Sequence, residues 1–130
     1  MIVRRLADIR GTDCHVKTPE WESVRLLLAR DGMGFSFHIT TFPAGSAMLM
    51  HYTNHLEAVY CISGSGRLFE RDSGLEHAIE PGTLYALNAH DRHRLEAHTE
   101  LVLACVFNPP LVGQETHDAS GSYPLMGDGS

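Results

Sequence analysis

The stretch from Gly45 to Gly64, GSAMLMHYTNHLEAVYCISG, carries the clearest structural signal in the chain. Five residues separate Gly45 from His51, Glu57 follows, and six residues separate Glu57 from Gly64. Glycines permit turns at both ends of such a segment. Between them, inward-facing side chains on adjacent antiparallel strands of a small barrel can converge on one ion. The stretch therefore predicts a β-rich fold with a polar site inside it.

Outward from this stretch, the chain consists of short extended runs separated by turn signals. Residues 21–28 read as a helix or a strand, and a strand would put Trp21, Ser23 and Arg25 on one face. The run ELVLACVF (100–107) is apolar on both faces, which is typical of a buried central strand. The further predicted strands are 35–41, 57–62, 67–70, 77–79, 83–87 and 93–97. About eight to ten short strands predict a β-sandwich or barrel, with a helical turn near residues 5–9.

Two tight turns are expected to join neighbouring strands as hairpins. Ser63-Gly64-Ser65-Gly66 would link the runs 57–62 and 67–70. Residues 88–90 would link 83–87 to 93–97, provided that Leu87 and Asp91 close the turn. Tyr85 and His93 would then lie directly opposite each other, with Cβ atoms roughly 4.5–5.5 Å apart.

Composition excludes several classes of protein. A chain of 130 residues that is 43% hydrophobic and 20% charged is one ordinary globular domain. The net charge of −6 leaves no basic footprint for nucleic acid, and the absence of a long apolar run predicts neither a membrane partner nor export. Cys14, Cys61 and Cys105 form no CxxC pair, which argues against a disulfide framework or zinc ribbon. We therefore expect a cytoplasmic protein.

The nine histidines direct attention to a metal or proton-transfer site, since imidazole binds metals and titrates near neutral pH. Most of them lie in polar loops or turns and are expected to be solvated, namely His15, His77, His90, His98 and His117.

The spacing of Gly45, His51, Glu57 and Gly64 resembles the first motif of the cupin superfamily. Pro81-Gly82-Thr83-Leu84-Tyr85, with His93 downstream, resembles the second. The resemblance implies an all-β, single-domain jelly-roll barrel with short helical turns over residues 1–125, and a disordered or cloning-derived tail at 126–130. Thr53 stands where the first motif has its second histidine. The usual set of three histidines and one glutamate is therefore not expected.

The two motifs together suggest a metal site. His93 falls where the second motif has its ligand, and Glu57 and Tyr85 would complete a shell of two oxygens and one nitrogen. Hard oxygen donors with one imidazole suit iron(II) or another first-row divalent ion better than a thiolate-preferring metal. Three protein ligands would leave positions open for substrate or water.

The string HYTNHLEAVYCISG at 51–64 is more specific, because it resembles the ectoine synthase family. Matching segments in the same order are MIVR (1–4), GTD (11–13), WESVRLL (21–27), GMGFSFH (32–38) and CVFNPPL (105–111). The likeness runs from Met1 to about Leu125. It implies a lyase that cyclises N-γ-acetyl-L-2,4-diaminobutyrate to ectoine with loss of water, which serves compatible-solute synthesis under osmotic stress. The expected partners are this small substrate and a second copy of the chain in a homodimer.

The same resemblance implies which residues line the pocket. Tyr52 and His55 are the candidates for proton transfer. The expected substrate-binding residues are Trp21, Ser23, Arg25, His38, Thr40, Cys105, Phe107 and Glu115. In this group Arg25 would clamp the substrate carboxylate, and Trp21 and Phe107 would form apolar walls. Glu115 would lie on a closing segment that excludes water.

Two other functions stay open at this point. A small cupin sensor would hold a ligand without transforming it, and a cupin dioxygenase or isomerase would use the same metal for other chemistry. Thr53 argues against the dioxygenase, which typically has more histidine ligands. Formation of ectoine, and its dependence on metal, would distinguish these functions.

Overall fold

The computed structural model describes residues 1–125, which form a barrel of two antiparallel sheets. In this part of the chain, α1 spans Leu6–Ile9 and a 3-10 turn spans Ala29–Asp31. The strands are β1 (His15–Lys17), β2 (Glu22–Leu27), β3 (Ser36–Phe42), β4 (Ala47–Met50), β5 (Leu56–Ser63), β6 (Gly66–Glu70), β7 (Glu76–Ile79), β8 (Leu84–Leu87), β9 (His93–Ala97) and β10 (Leu101–Asn108). The all-β prediction is confirmed.

The strands divide between the sheets in an interleaved order. One sheet has the order β1-β2-β3-β10-β5-β8, and the other has the order β4-β9-β6-β7. The predicted central strand β10 lies between β3 and β5, with Leu101 and Leu103 almost completely buried. Residues 21–28 contain the strand β2, and the helical turn predicted near residues 5–9 is α1. The short strands β1 and β4 were not predicted.

The inner face of the six-stranded sheet carries polar residues on β2 and β3. Ser23 and Arg25 are buried on β2, and Ser36, His38 and Thr40 are buried on β3. Phe37 and Ile39 of β3 point the other way and are half-buried on the outer face, whereas Phe42 is buried on the inner face. Because burying polar groups costs free energy unless they find partners, this arrangement indicates a site built for binding rather than a core built only for stability.

Both predicted hairpins are wrong. β5 pairs with β10 and β8, whereas β6 pairs with β7 and β9, so Ser63–Gly66 crosses from one sheet to the other. Gly64 has a φ of +95°, and a Cβ there would meet the carbonyl oxygen of Glu100 at 2.0 Å. The glycine is needed for this close crossing. Turn signals are local and do not identify the strand that a segment will pair with.

The second turn also connects the two sheets. β8 pairs with β5, with Tyr85 opposite Val59, and β9 pairs with β4 and β6. Tyr85 and His93 are therefore not neighbours in a hairpin. Residues 126–130, for which a tail was predicted, lie outside the described residues. Within residues 1–125, no helix is long and apolar enough to span a membrane.

Candidate active site

Strand register lines up the candidate residues in two rows on the inner face of the six-stranded sheet. In the first row Arg25 is opposite His38, His38 is opposite Cys105, and Val59 links Cys105 to Tyr85. The second row contains Ser36, Phe107, Glu57 and Leu87. Residues far apart in the chain are thus brought side by side by antiparallel pairing.

The middle of these rows borders a small cavity of about 20 Å³, which has room for about one water molecule. The predicted site residues that line it are Trp21, Thr40, Tyr52, Glu57, Tyr85, Cys105 and Phe107. His117 and Tyr123 also line it and were not predicted. Ser23 lies just behind, where its hydroxyl is 3.3 Å from that of Thr40.

His93 has the environment of a metal-binding histidine. Its Nδ1 lies 3.0 Å from the carbonyl oxygen of Asp91, to which an Nδ1–H can donate. Its Nε2 is buried and has no hydrogen-bond partner. Metal-binding histidines usually donate their second ring N–H to a carbonyl or carboxylate, which turns the other nitrogen towards the ion. The imidazole of His93 therefore fits a metal.

Glu57 and Tyr85 complete the predicted donor set. Glu57 is buried, and this burial raises the pKa of its carboxyl to about 8. Burial also raises the pKa of Tyr85, whose ring centroid is 6.5 Å from that of His93. Among residues 1–125, no cluster of three or more His, Cys, Asp or Glu could hold a metal. A site here would depend on Tyr85, which lines the cavity with Glu57 and whose ring is the neighbour of His93.

Tyr52 and His117 form a hydrogen-bonded pair at the cavity wall. The hydroxyl of Tyr52 is 2.7 Å from Nε2 of His117. Burial, with a smaller effect from Arg25, lowers the pKa of His117 to about 4. The expectation that His117 is solvated is therefore wrong. The histidine was missed because residues 111–125 show no periodicity that would place a side chain inward.

Of the other four histidines that were expected to be solvated, three are exposed and one is not. His77, His90 and His98 are exposed, as predicted. His15 instead lies on β1, where its side chain is 7% exposed and its Nε2 is 3.3 Å from a carboxylate oxygen of Glu22.

Two further imidazoles pack against Phe107. The ring of His38 stacks on Phe107 at 5.2 Å, and the ring of His55 meets it edge-on at 5.8 Å. Nε2 of His38 and Nδ1 of His55 are buried without hydrogen-bond partners. Burial lowers the pKa of both rings. Both rings are therefore predominantly neutral at pH 7.

Arg25 holds the segment that covers the site. Its Nη1 donates to the carbonyl of Gly113 at 2.8 Å, and its Nη2 donates to the carbonyl of Glu115 at 2.7 Å. The carboxylate of Glu115 accepts hydrogen bonds from the backbone N–H groups of Val112 and Gly113. Nε of Arg25 is buried, and it is the guanidinium nitrogen that has no hydrogen-bond partner among the described residues.

The rest of the covering segment, residues 111–123, is attached to the loop after β4. The backbone N–H of His51 donates to the carbonyl of Gly121. The N–H of Thr53 donates to the hydroxyl of Ser122, and the side-chain amide of Asn54 donates to the carbonyl of Tyr123. These bonds place the ring of Tyr123 inside the barrel, where it is 4% exposed.

A barrel of two antiparallel sheets around a buried carboxyl, phenol and imidazoles is the architecture of the cupin superfamily. The polyketide cyclase RemF from Streptomyces resistomycificus shares this fold with a TM-score of 0.71 at 14% identity, over 99% of this chain and 89% of that one. The crystal structure of ectoine synthase from P. lautus matches with a TM-score of 0.82 at 48% identity, over 85% of this chain and 80% of that one.

Sequence comparison gives the family. The family model described as "Ectoine synthase" matches residues 1–127. The L-ectoine synthase of Hahella chejuensis is 58% identical over 125 residues, which cover 96% of this chain and 95% of that one. The L-ectoine synthase of Sphingopyxis alaskensis is 55% identical over 124 residues, covering 95% and 90%. The chain belongs to the ectoine synthase family and is an enzyme.

Proposed function

We propose that this enzyme is a lyase that closes N-γ-acetyl-L-2,4-diaminobutyrate into ectoine with loss of water, using iron(II) or another first-row divalent ion. Membership of the ectoine synthase family supports the reaction. The observation that carries the mechanism is the buried, unpartnered Nε2 of His93. The ring centroid of His93 lies 6.5 Å from that of Tyr85, which lines the small cavity together with Glu57.

Glu57, Tyr85 and His93 are the residues that would hold the metal. A divalent ion bound there supplies a Lewis acid that polarises the acetamide carbonyl of the substrate. His93 offers its free nitrogen because the backbone at Asp91 occupies the other one. Glu57 offers a carboxyl that lacks water contact, so a cation would stabilise its charged form.

The Tyr52–His117 pair at the cavity wall would transfer protons during the reaction. The substrate amine enters as an ammonium group and the product is an amidinium, so two protons of the attacking nitrogen must end on the departing oxygen. A neutral His117 can accept a proton, and Tyr52, whose pKa is raised by burial, keeps a proton that it can donate. His55, whose ring meets Phe107 edge-on and whose Nδ1 has no hydrogen-bond partner, would be a second group for proton transfer.

The remaining side chains bind and orient the substrate. Trp21 and Phe107 provide apolar walls, and Nε of Arg25 is a donor for the carboxylate. The inner face of the larger sheet would offer further polar contacts to the substrate, from Ser23, His38, Thr40 and Cys105. Holding a flexible substrate in a reactive shape accelerates ring closure.

In the proposed cycle the covering segment moves. A cavity of about 20 Å³ admits a water molecule but no amino-acid derivative. Residues 111–123, with Glu115, therefore open to admit the substrate and close to exclude water, which favours a dehydration.

The setting of the enzyme is also part of the proposal. The three cysteines are free thiols, which agrees with a reducing cytoplasm, where ectoine would serve as a compatible solute under osmotic stress. A homodimer would cover β8, the edge strand of the larger sheet. Exposed apolar residues on the outer faces of β5 and β8 support this, namely Tyr60, Ile62 and Leu84.

The test is a direct assay. Iron(II)-loaded protein is incubated anaerobically with N-γ-acetyl-L-2,4-diaminobutyrate, and the cyclic product is followed by proton NMR. We expect ectoine from the loaded protein and little from the chelated protein or from Glu57→Ala. A loaded wild-type protein that forms no ectoine would contradict the proposed reaction and favour a binding module. Equal rates after chelation would contradict the metal's role.

A further inference from the structure

We propose that Tyr123 is a positioning residue for the Tyr52–His117 pair, which it covers with the face of its ring. This inference rests on the proposed function, since it assigns Tyr123 to the proton-transfer step of that reaction. Tyr123 is the last buried residue of the covering segment 111–123.

The ring of Tyr123 contacts both members of the pair. It stacks on His117 with centroids 4.4 Å apart and an interplanar angle of 18°, and on Tyr52 at 5.2 Å and 21°. Tyr52 and His117 are themselves joined edge to edge by their hydrogen bond of 2.7 Å. One nearly parallel ring therefore covers a hydrogen-bonded pair, so neither ring can tilt without losing contact with it.

The other sides of the pair are closed by rings that stand on edge. Trp21 meets His117 at 5.4 Å and 75°, and Phe107 meets Tyr52 at 5.2 Å and 83°. Phe107 lies on β10 and Trp21 immediately precedes β2, so both rings lie outside the covering segment. His117 and Tyr123 both belong to the segment 111–123, so the pair and the ring that covers it are assembled together when the segment closes.

The backbone of the segment is shaped to deliver this ring. Gly121 has a φ of +80°, and a Cβ there would lie 2.6 Å from the carbonyl oxygen of Leu49. Asp118 then fixes residues 120–122. Its carboxylate accepts hydrogen bonds from the backbone N–H groups of Ser120 and Ser122, and its carbonyl accepts one from the N–H of Gly121. The guanidinium of Arg25, 5.7 Å from the ring centroid, packs on Tyr123 as well. The same arginine that holds the segment therefore supports the ring.

The expected consequence is an effect on turnover rather than on binding. If Tyr123 holds the acid–base pair in place, its loss should lower kcat by a much larger factor than it changes KM, because Tyr123 is only one of several residues that line the cavity. Misplacing a catalytic group by about 1 Å can cost on the order of 100-fold in rate. We expect a loss of about 10- to 100-fold for Tyr123→Leu.

The experiment compares Tyr123→Leu with Tyr123→Phe, and with Phe69→Leu as a control that removes a half-buried ring from the outer face of β6. Tyr123→Phe keeps the stacking and should remain within about threefold of the wild-type kcat. Phe69→Leu should do the same. Gly121→Ala displaces the segment without changing the ring, and it should lower kcat as much as Tyr123→Leu does. If Tyr123→Leu does not fold, Gly121→Ala is the variant to compare with the wild type.

A second readout is independent of activity. Nitrogen-15 NMR of the metal-free protein should show one imidazole tautomer for His117 in the wild type and in Tyr123→Phe, and an exchanging mixture in Tyr123→Leu. A Tyr123→Leu variant that matches Phe69→Leu in both kcat and His117 signal would overturn the inference. So would a Tyr123→Phe variant as slow as Tyr123→Leu, since the hydroxyl would then take part itself. A wild type without turnover would contradict the proposed function, and the NMR comparison would still decide the positioning of His117.

Discussion

Tyr85 and His93 approach each other from opposite sheets, with ring centroids 6.5 Å apart. Tyr85 lies on β8 at the edge of the larger sheet, and His93 lies on β9 in the smaller one. A metal held by both side chains would join the two sheets across the interior of the barrel. Because Glu57 is on β5, next to β8, the proposed ligands come from three strands that meet only when the barrel has formed.

The Tyr52–His117 hydrogen bond predicts non-additive kinetics. Tyr52→Phe and His117→Gln should each lower kcat by about 100-fold or more, in the range typical of losing an acid or base. Since each residue acts through the other, the double variant should be only slightly slower than the worse single variant. Steady-state assays of all four proteins test this. Multiplicative losses would show that the two residues act separately.

Because His117 is buried and neutral, we expect the free energy of unfolding to decrease in acid. In the unfolded chain His117 takes up a proton below about pH 6.5, but in the folded chain its pKa is about 4. The unfolded state therefore binds more protons as the pH falls below 6.5, so the free energy of unfolding decreases. Between pH 7 and pH 5 this decrease amounts to about 1–2 kcal/mol.

Urea unfolding of the metal-free protein at both pH values measures this contribution. His117→Gln should lose about 1–2 kcal/mol less than the wild type over the same range, and the exposed control His98→Gln should lose as much as the wild type. Glu57, whose raised pKa favours folding at lower pH, contributes equally to all three proteins. An identical decrease in the wild type and in His117→Gln would contradict the burial of a neutral imidazole.

Because Arg25 binds the covering segment, we expect its replacement to make that segment more mobile. Lysine cannot donate at once to the carbonyls of Gly113 and Glu115 as the guanidinium does. In Arg25→Lys, hydrogen exchange of the segment 111–123 should therefore be about tenfold faster by mass spectrometry. Arg94→Lys, which alters an arginine packed on Phe69, is the control. Unchanged exchange in Arg25→Lys would mean that other contacts hold the segment.

The exposed edge strand around Leu84 leads us to expect a homodimer. Leu84 is 63% exposed on the edge strand β8, and an edge strand with apolar neighbours readily pairs with another chain. Light scattering should give twice the chain mass for the wild type and the single-chain mass for Leu84→Asp. A monomeric wild type would exclude the homodimer, and a dimeric Leu84→Asp would place the interface on another surface.

The strands could be predicted from the sequence because alternation is a local pattern, whereas most of the cavity residues were expected from the resemblance to the ectoine synthase family. Alternation placed Ser23 and Arg25 on one face of β2, and the structure buries both. The apolar run of β10 indicated a central strand, which it is. These features need no information about distant parts of the chain.

The pairing of strands and the covering segment could not be predicted in the same way. The glycines of Ser63–Gly66 indicate a sharp turn but not whether the next strand stays in the same sheet. His117 and Tyr123 lie in a region without periodicity, and they are buried because the backbone of 121–123 bonds to the loop 51–54. The one local signal was an aromatic residue in a segment otherwise rich in turn-forming residues.

The most direct test of the account is a titration of ectoine formation against bound iron(II). Wild-type protein freed of metal should gain activity in proportion to the iron that it binds, up to one ion per chain. His93→Gln should bind iron at least 100-fold more weakly and stay inactive at the same iron concentration, whereas His77→Gln, altered at an exposed histidine, should follow the wild type. Full activity in the metal-free protein, or wild-type iron binding by His93→Gln, would contradict the account.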